Sequence, residues 1–271
     1  MSADADSAGD GRPSGSLRLG PNPGRPWGLI EALLGWIGGQ FAATAIFTAF
    51  IALGYSLFTP QRPGGFLGRA VAQNRIGQGF SNDSIPLFLQ MASQIPSWVV
   101  MLSVTWVVAG VLGRSRPGWS FRGEPLDVAR GFSTGFVLQF PIVIVLVLLV
   151  TSIFNVAPDG RALSLVDSIS GPVDLIALVL GVAVGAPIVE EIFYRGVVQR
   201  ALVDRFGPVV GIGIASLLFG AVHFSWVNLL PLTIVGAGFG WLAYKYDRLL
   251  PAIVAHMTFN AITVAALLAA G

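Results

Sequence analysis

The chain has 271 residues, of which 54% are apolar and 11% charged, with a formal net charge of +2 and a mean hydropathy of +0.74. A soluble domain carries about 25% charged residues to cover its core, so this composition excludes an ordinary soluble protein. The chain has no cysteine, which excludes disulfides and thiolate metal sites.

The apolar stretches reach or approach the ~20 residues that cross a bilayer. They are continuous rather than alternating, which argues against a transmembrane β-barrel. The expected fold class is all-α, a polytopic transmembrane helical bundle. Fifteen of the sixteen basic residues are Arg, a bias that suggests a GC-rich bacterial genome. The sequence pI near 9.4 needs no nucleic-acid partner, because basic residues flanking cytoplasmic helix ends produce it.

Residues Met1 to Pro26 are rich in Ser, Gly, Pro and Asp and read as a disordered tail without the apolar core of a signal peptide. A first apolar run covers Trp27 to Phe58, and its start fits a segment lying along the interface. A polar, Gly-rich loop follows over Thr59–Ser84. Further spans are expected at Ile85–Leu112, Gly131–Val156, Val173–Leu202, Pro208–Phe224, Leu229–Tyr244 and Leu249–Ala270, about seven in all. Pro96, Pro141 and Pro187 lie inside them, as membrane helices tolerate where neighbours satisfy the freed carbonyls. The chain thus divides into the tail (1–26), amino-terminal membrane helices (27–165) and a carboxyl-terminal membrane core (166–271).

With seven spans, one side receives eleven basic residues, among them Arg114, Arg122, Arg200 and Arg248. The other receives four: Arg62, Arg69, Arg75 and Arg161. This asymmetry places the amino terminus in the cytoplasm of a multi-pass, cell-membrane protein.

An ionisable side chain inside the bilayer costs roughly 2.5–3.5 kcal/mol on insertion scales and calls for a reason. "VEEIFYR" places Glu191 and Arg195 four apart with the acid first, the favoured order for a helical ion pair. Glu190 is rotated by about 100° from Glu191 and is left available. "LLFGAVHF" sets Phe219 and His223 on one face, and "PAIVAHMTFNAI" does the same for His256 and Asn260. Each pattern alone also fits a structural role: an ion pair near the headgroups, a histidine bonding two helices, an interhelical amide. Together they bring a carboxylate base, both histidines of the chain and an amide donor into its last hundred residues, the groups that hydrolytic sites use.

These motifs, Glu190-Glu191-x-x-x-Arg195, Phe219-x-x-x-His223 and His256-x-x-x-Asn260, resemble those of the CPBP intramembrane proteases, the CAAX protease and bacteriocin-processing or Abi family. Their order matches, as does the connecting texture "GFGWLAYKYDRLLPAIVAHMTFN". The resemblance covers about Val173 to Ala265.

It implies hydrolysis of a peptide bond in a membrane protein or peptide. Glu190 would activate water with help from His256, His223 and Asn260 would support the oxyanion, and Glu191 and Arg195 would shape the site. The family has both metallopeptidase and metal-free readings. The first would have zinc held by Glu190, His223 and His256 with an open position for water. The rival classes are a membrane transporter and a non-enzymatic scaffold or immunity protein.

At 1.5 Å per residue, Glu190 lies about 15 Å from Arg200, His256 about 10 Å from Leu249 and His223 about 22 Å from Pro208. Convergence therefore requires a tilted helix, or an extension of the Glu190 helix through "ALVDRF".

Overall fold

A computed structural model of the chain describes residues 33–42, 45, 49, 87–107, 123–158 and 160–270. All regular structure among them is helical. The tail and the loop over Thr59–Ser84 lie outside the described residues, as does most of the first apolar run.

We number the helices α1 (33–42), α2 (Leu87–Ala92), α3 (Gln94–Trp106), α4 (Pro125–Phe154), α5 (Arg161–Asp167), α6 (172–206), α7 (208–221), α8 (Trp226–Tyr246) and α9 (Leu250–Ala270). Among the described residues, four continuous helical runs are long and apolar enough to cross a membrane: Pro125–Phe154, Pro172–Ala221, Trp226–Tyr246 and Leu250–Ala269. The run of 50 residues is two helices, because Gly207 breaks it with φ 79 and ψ 170. That left-handed φ suits glycine, and Pro208 then starts the next helix. The break falls between the fourth and fifth expected spans. The expected total of seven is not reached within the described residues.

The helix carrying Glu190 does continue through Arg200 to Phe206. Glu190 is therefore about 24 Å from the Gly207 turn at 1.5 Å per residue, level with His223 on the returning arm. The "ALVDRF" extension, rather than an exceptional tilt, removes the mismatch of depths.

Small residues let the helices approach. Gly131 and Gly135 of α4 face α9, where a Cβ on Gly135 would stand 2.3 Å from the Ala255 carbonyl oxygen. Such a small-x-x-x-small stripe substitutes backbone packing for the hydrophobic effect, which is absent between helices in lipid.

One end of this pair is fixed by charge. Glu124 and Asp127 form a capping box at the start of α4, and Arg248, from the α8–α9 turn, bonds both carboxylates at 2.6 and 3.1 Å. The outward faces are apolar, with Ile153, Val209 and Trp241 more than half exposed, as lipid contact requires. Two buried clusters flank the polar centre. One holds Ile192, Val235, Phe239 and Phe259, and the other Phe193, Tyr194, Val198 and Phe219.

Candidate active site

Glu190 and Glu191 stand on α6, four and five residues beyond Ala186, where the helix tightens again after a wide π-type turn over Val179–Gly185. The wide turn has a local cause. Pro187 has no N–H, so a carbonyl one turn back loses its partner. The Ala186 N–H bonds Gly181 O five residues back. Continuing that register, Val182 O would meet the nitrogen of Pro187, which cannot donate.

Asn260 of α9 fills the gap, its Nδ2 donating to Val182 O at 2.8 Å. The amide keeps a second N–H.

Glu191 is fully buried, and a buried charge needs partners. It has two. Arg195 Nε lies 3.1 Å from Oε2, and His256 Nδ1 lies 2.9 Å from Oε1. A carboxylate oxygen only accepts, so Nδ1 of His256 carries the proton of that bond. In the neutral ring Nε2 is then the free lone pair. It faces Glu190, whose Oε2 is 4.0 Å away and whose side chain is 22% exposed. Two hydrogen bonds of about 2.8 Å meeting near a right angle span about 4 Å, so the gap suits one bridging water.

Aromatic rings fix the imidazole. Phe239 stacks on His256 with centroids 4.8 Å apart, and Phe219 meets it edge-on at 5.6 Å. The Arg195 guanidinium lies 4.7 Å over the Phe219 ring, and its Nη2 donates to Gly236 O at 2.9 Å. One turn on, Gln199 donates to Gly240 O at 2.9 Å. The buried polar line Glu191–Arg195–Gln199 thus lies against glycines of α8, and a Cβ at Gly240 would stand 2.3 Å from Gln199 Oε1.

His223 lies in the turn beyond α7 rather than inside the helix. Its Nδ1 bonds Phe219 O at 2.8 Å, which makes Nδ1 the donor and leaves Nε2 open in the neutral ring. Its ring meets Phe219 edge-on at 5.1 Å, so Phe219 separates the two histidines and touches both.

The structure therefore brings Glu190, Glu191, Arg195 and His256 into one cluster and joins His223 to it through Phe219. Asn260 lies one turn from His256, its amide nitrogen turned to Val182. Among the described residues no three His, Cys, Asp or Glu side chains come close enough to hold a metal ion. As placed, Glu190, His223 and His256 do not form a ligand set.

Residues that sequence patterns left out are Phe239, Gln199 and the Val182 carbonyl. The matched spacing of Arg195–Gln199 and Gly236–Gly240 was a readable signal for the second. The orphaned carbonyl required knowing the hydrogen-bond register before Pro187.

The family described as "Type II CAAX prenyl endopeptidase Rce1-like" matches residues 172–262, which hold every side chain of this cluster. Over these residues the chain is similar to that family. The Bacillus subtilis (strain 168) protein named "Putative membrane peptidase YdiL" is 33% identical over 78 residues, 29% of this chain and 32% of that relative. The chain thus spans about a third of the curated relative it matches. No solved structure matches it. The matched segment begins at the first residue of α6 and ends two residues past Asn260. Helices α1 to α5 lie outside it.

Proposed function

We propose that the chain is an intramembrane endopeptidase that hydrolyses a peptide bond of a membrane protein or membrane-associated peptide. The observation that carries this reading is the relay Glu190···His256–Glu191, with a gap of 4.0 Å sized for water beside a half-buried carboxylate. It is supported by the Rce1-like match over the same residues.

In this mechanism Glu190 takes a proton from the bridging water as the oxygen attacks the carbonyl carbon. His256 orients that water through Nε2. Glu191 holds the imidazole in the required tautomer and orientation, part of what a buried carboxylate does behind a catalytic histidine. Arg195 pairs with Glu191 and holds it in place. The second N–H of Asn260 and a protonated His223 supply donors to the oxyanion. A neutral His223 cannot, because its one N–H is engaged by Phe219 O. Glu190 then returns the proton to the leaving amine nitrogen as the peptide bond breaks.

The protein acts in the cell membrane of a bacterium with its amino terminus cytoplasmic. Its substrates are the peptides and membrane proteins of that cell.

The test compares membrane peptides from cells making wild-type protein and Glu190→Ala. A product that vanishes in the variant identifies the substrate, and unchanged peptides would remove Glu190 from the chemistry. Metal content of the purified protein, with cleavage before and after chelation, tests the zinc reading separately.

A further inference from the structure

His223 is the one candidate side chain that no helix holds. α7 ends at Ala221, and residues 222–225 form the turn into α8. A helix end leaves carbonyls without intrahelical donors, and inside or near a bilayer water is not free to replace them. The backbone of the turn recovers only part: His223 N bonds Gly220 O at 3.3 Å and Phe224 N bonds Ala221 O at 3.0 Å.

The carbonyls of His223 and Phe224 lie beyond the end of α7. Both are taken by one side chain from a distant part of the chain. Arg161 donates from Nη1 to His223 O at 3.0 Å and from Nη2 to Phe224 O at 2.9 Å.

This two-pronged contact suits a guanidinium, whose planar fork presents parallel donors, and a cation is favoured at a helix carboxyl end. The contact also spans a strained residue. Phe224 has φ 50, a left-handed conformation uncommon for a side chain other than Gly, Asn or Asp. Its ring is 87% exposed, so side-chain packing does little to hold it there. On the far side of the turn, Ser225 accepts from Asn228 N at 3.4 Å and Trp226 meets Phe154 edge-on at 5.6 Å. These set the start of α8. Neither bonds the peptide units of residues 223 and 224.

We infer that Arg161 is a positioning residue: its clamp on the His223 and Phe224 carbonyls fixes the turn that presents the His223 imidazole. The inference rests on the proposed function only in giving His223 a reason to be placed. Arg161 starts α5, outside the matched segment, so a segment beyond the matched core completes the geometry of that core.

The chain's two histidines make the test direct. Full-length protein labelled with 15N in the histidine rings shows two imidazoles, assigned with His223→Gln and His256→Gln variants. Arg161→Gln is expected to shift or broaden the His223 ring signals and leave those of His256 in place, with Arg161→Lys restoring them part of the way. An unchanged His223 in Arg161→Gln overturns the inference. So does any variant in which both histidines move together, which assigns Arg161 to the whole bundle. If Arg161→Gln does not yield folded protein, Arg161→Lys is read by the same rule: His223 moving alone supports the clamp, and any other pattern overturns it. No step requires cleavage, so a Glu190→Ala protein that still hydrolyses peptides would end the protease reading and leave this result intact.

Discussion

Glu191 and His256, on two different helices, share a buried hydrogen bond of 2.9 Å, and this bond decides which imidazole nitrogen faces Glu190. Glu191→Gln removes the charge that balances Arg195, and its amide can offer His256 Nδ1 a donor as readily as an acceptor. The wrong tautomer then faces Glu190. Cleavage is expected to fall about 10²–10⁴-fold, the usual scale for general acid–base help. Breaking one partner of a buried ion pair also costs about 3–5 kcal/mol, so thermal unfolding in detergent should drop alongside. Unchanged turnover in a folded Glu191→Gln protein would assign His256 another source of orientation.

Gly135 meets the Ala255 carbonyl more closely than any side chain allows. Gly135→Ala forces α4 and α9 apart, and overpacking of this kind costs about 1–3 kcal/mol. Because Ala255 adjoins His256, the Glu191–His256 bond should loosen with it. The expected outcome is a lower unfolding temperature together with reduced cleavage. Gly213→Ala, inside α7 with open space around it, serves as the control.

The helical class and the converging motifs were legible because the physics behind them is local. Charge is rare in this chain, so each ionisable group in an apolar run stands out. Spacing by four then assigns Glu191 to Arg195 and His256 to Asn260. The depths of Glu190 and His223 along their helices made an extension through "ALVDRF" one of two expected ways for the motifs to meet, and the helix does continue to Phe206. What was hidden depends on partners far apart in sequence. Gln199 reads as an ordinary polar residue until Gly240 lies opposite it. Asn260 reads as an oxyanion donor, and its bond to the carbonyl orphaned by Pro187 cannot be seen until the two helices lie side by side. Arg161 reads as a loop charge until the turn at His223 folds against it.

Acid should weaken the end of the bundle where α4 meets the α8–α9 turn. Hydrogen bonding and charge from Arg248 hold the Glu124 carboxyl below its ordinary 4.5, and the same contact raises Arg248. A carboxyl lowered on folding adds stability at pH values above its ordinary pKa, and that contribution is lost as pH falls through the lowered value. Unfolding temperature should therefore decline below about pH 4.5 in wild type. It should decline less in Glu124→Gln, where Asp127 remains as the other carboxylate facing Arg130 and Arg248. Added salt should reduce the difference between the two proteins, since Glu124 is exposed.

Asn260 offers the sharpest separation of a structural role from a catalytic one. Asn260→Leu leaves Val182 O without a donor, and an unsatisfied buried polar group costs about 1–3 kcal/mol. Pro187→Ala supplies the N–H whose absence created the vacancy. If Asn260 serves chiefly to satisfy that carbonyl, the two substitutions should be coupled by about 0.5–3 kcal/mol, with Pro187→Ala recovering part of the stability lost in Asn260→Leu. Cleavage should not recover in the double variant, because no amide N–H remains for the oxyanion. Thermal unfolding of the four proteins measures the first effect and peptide cleavage the second. Additive stabilities would detach Asn260 from the Pro187 register, and restored cleavage would remove its amide from the transition state.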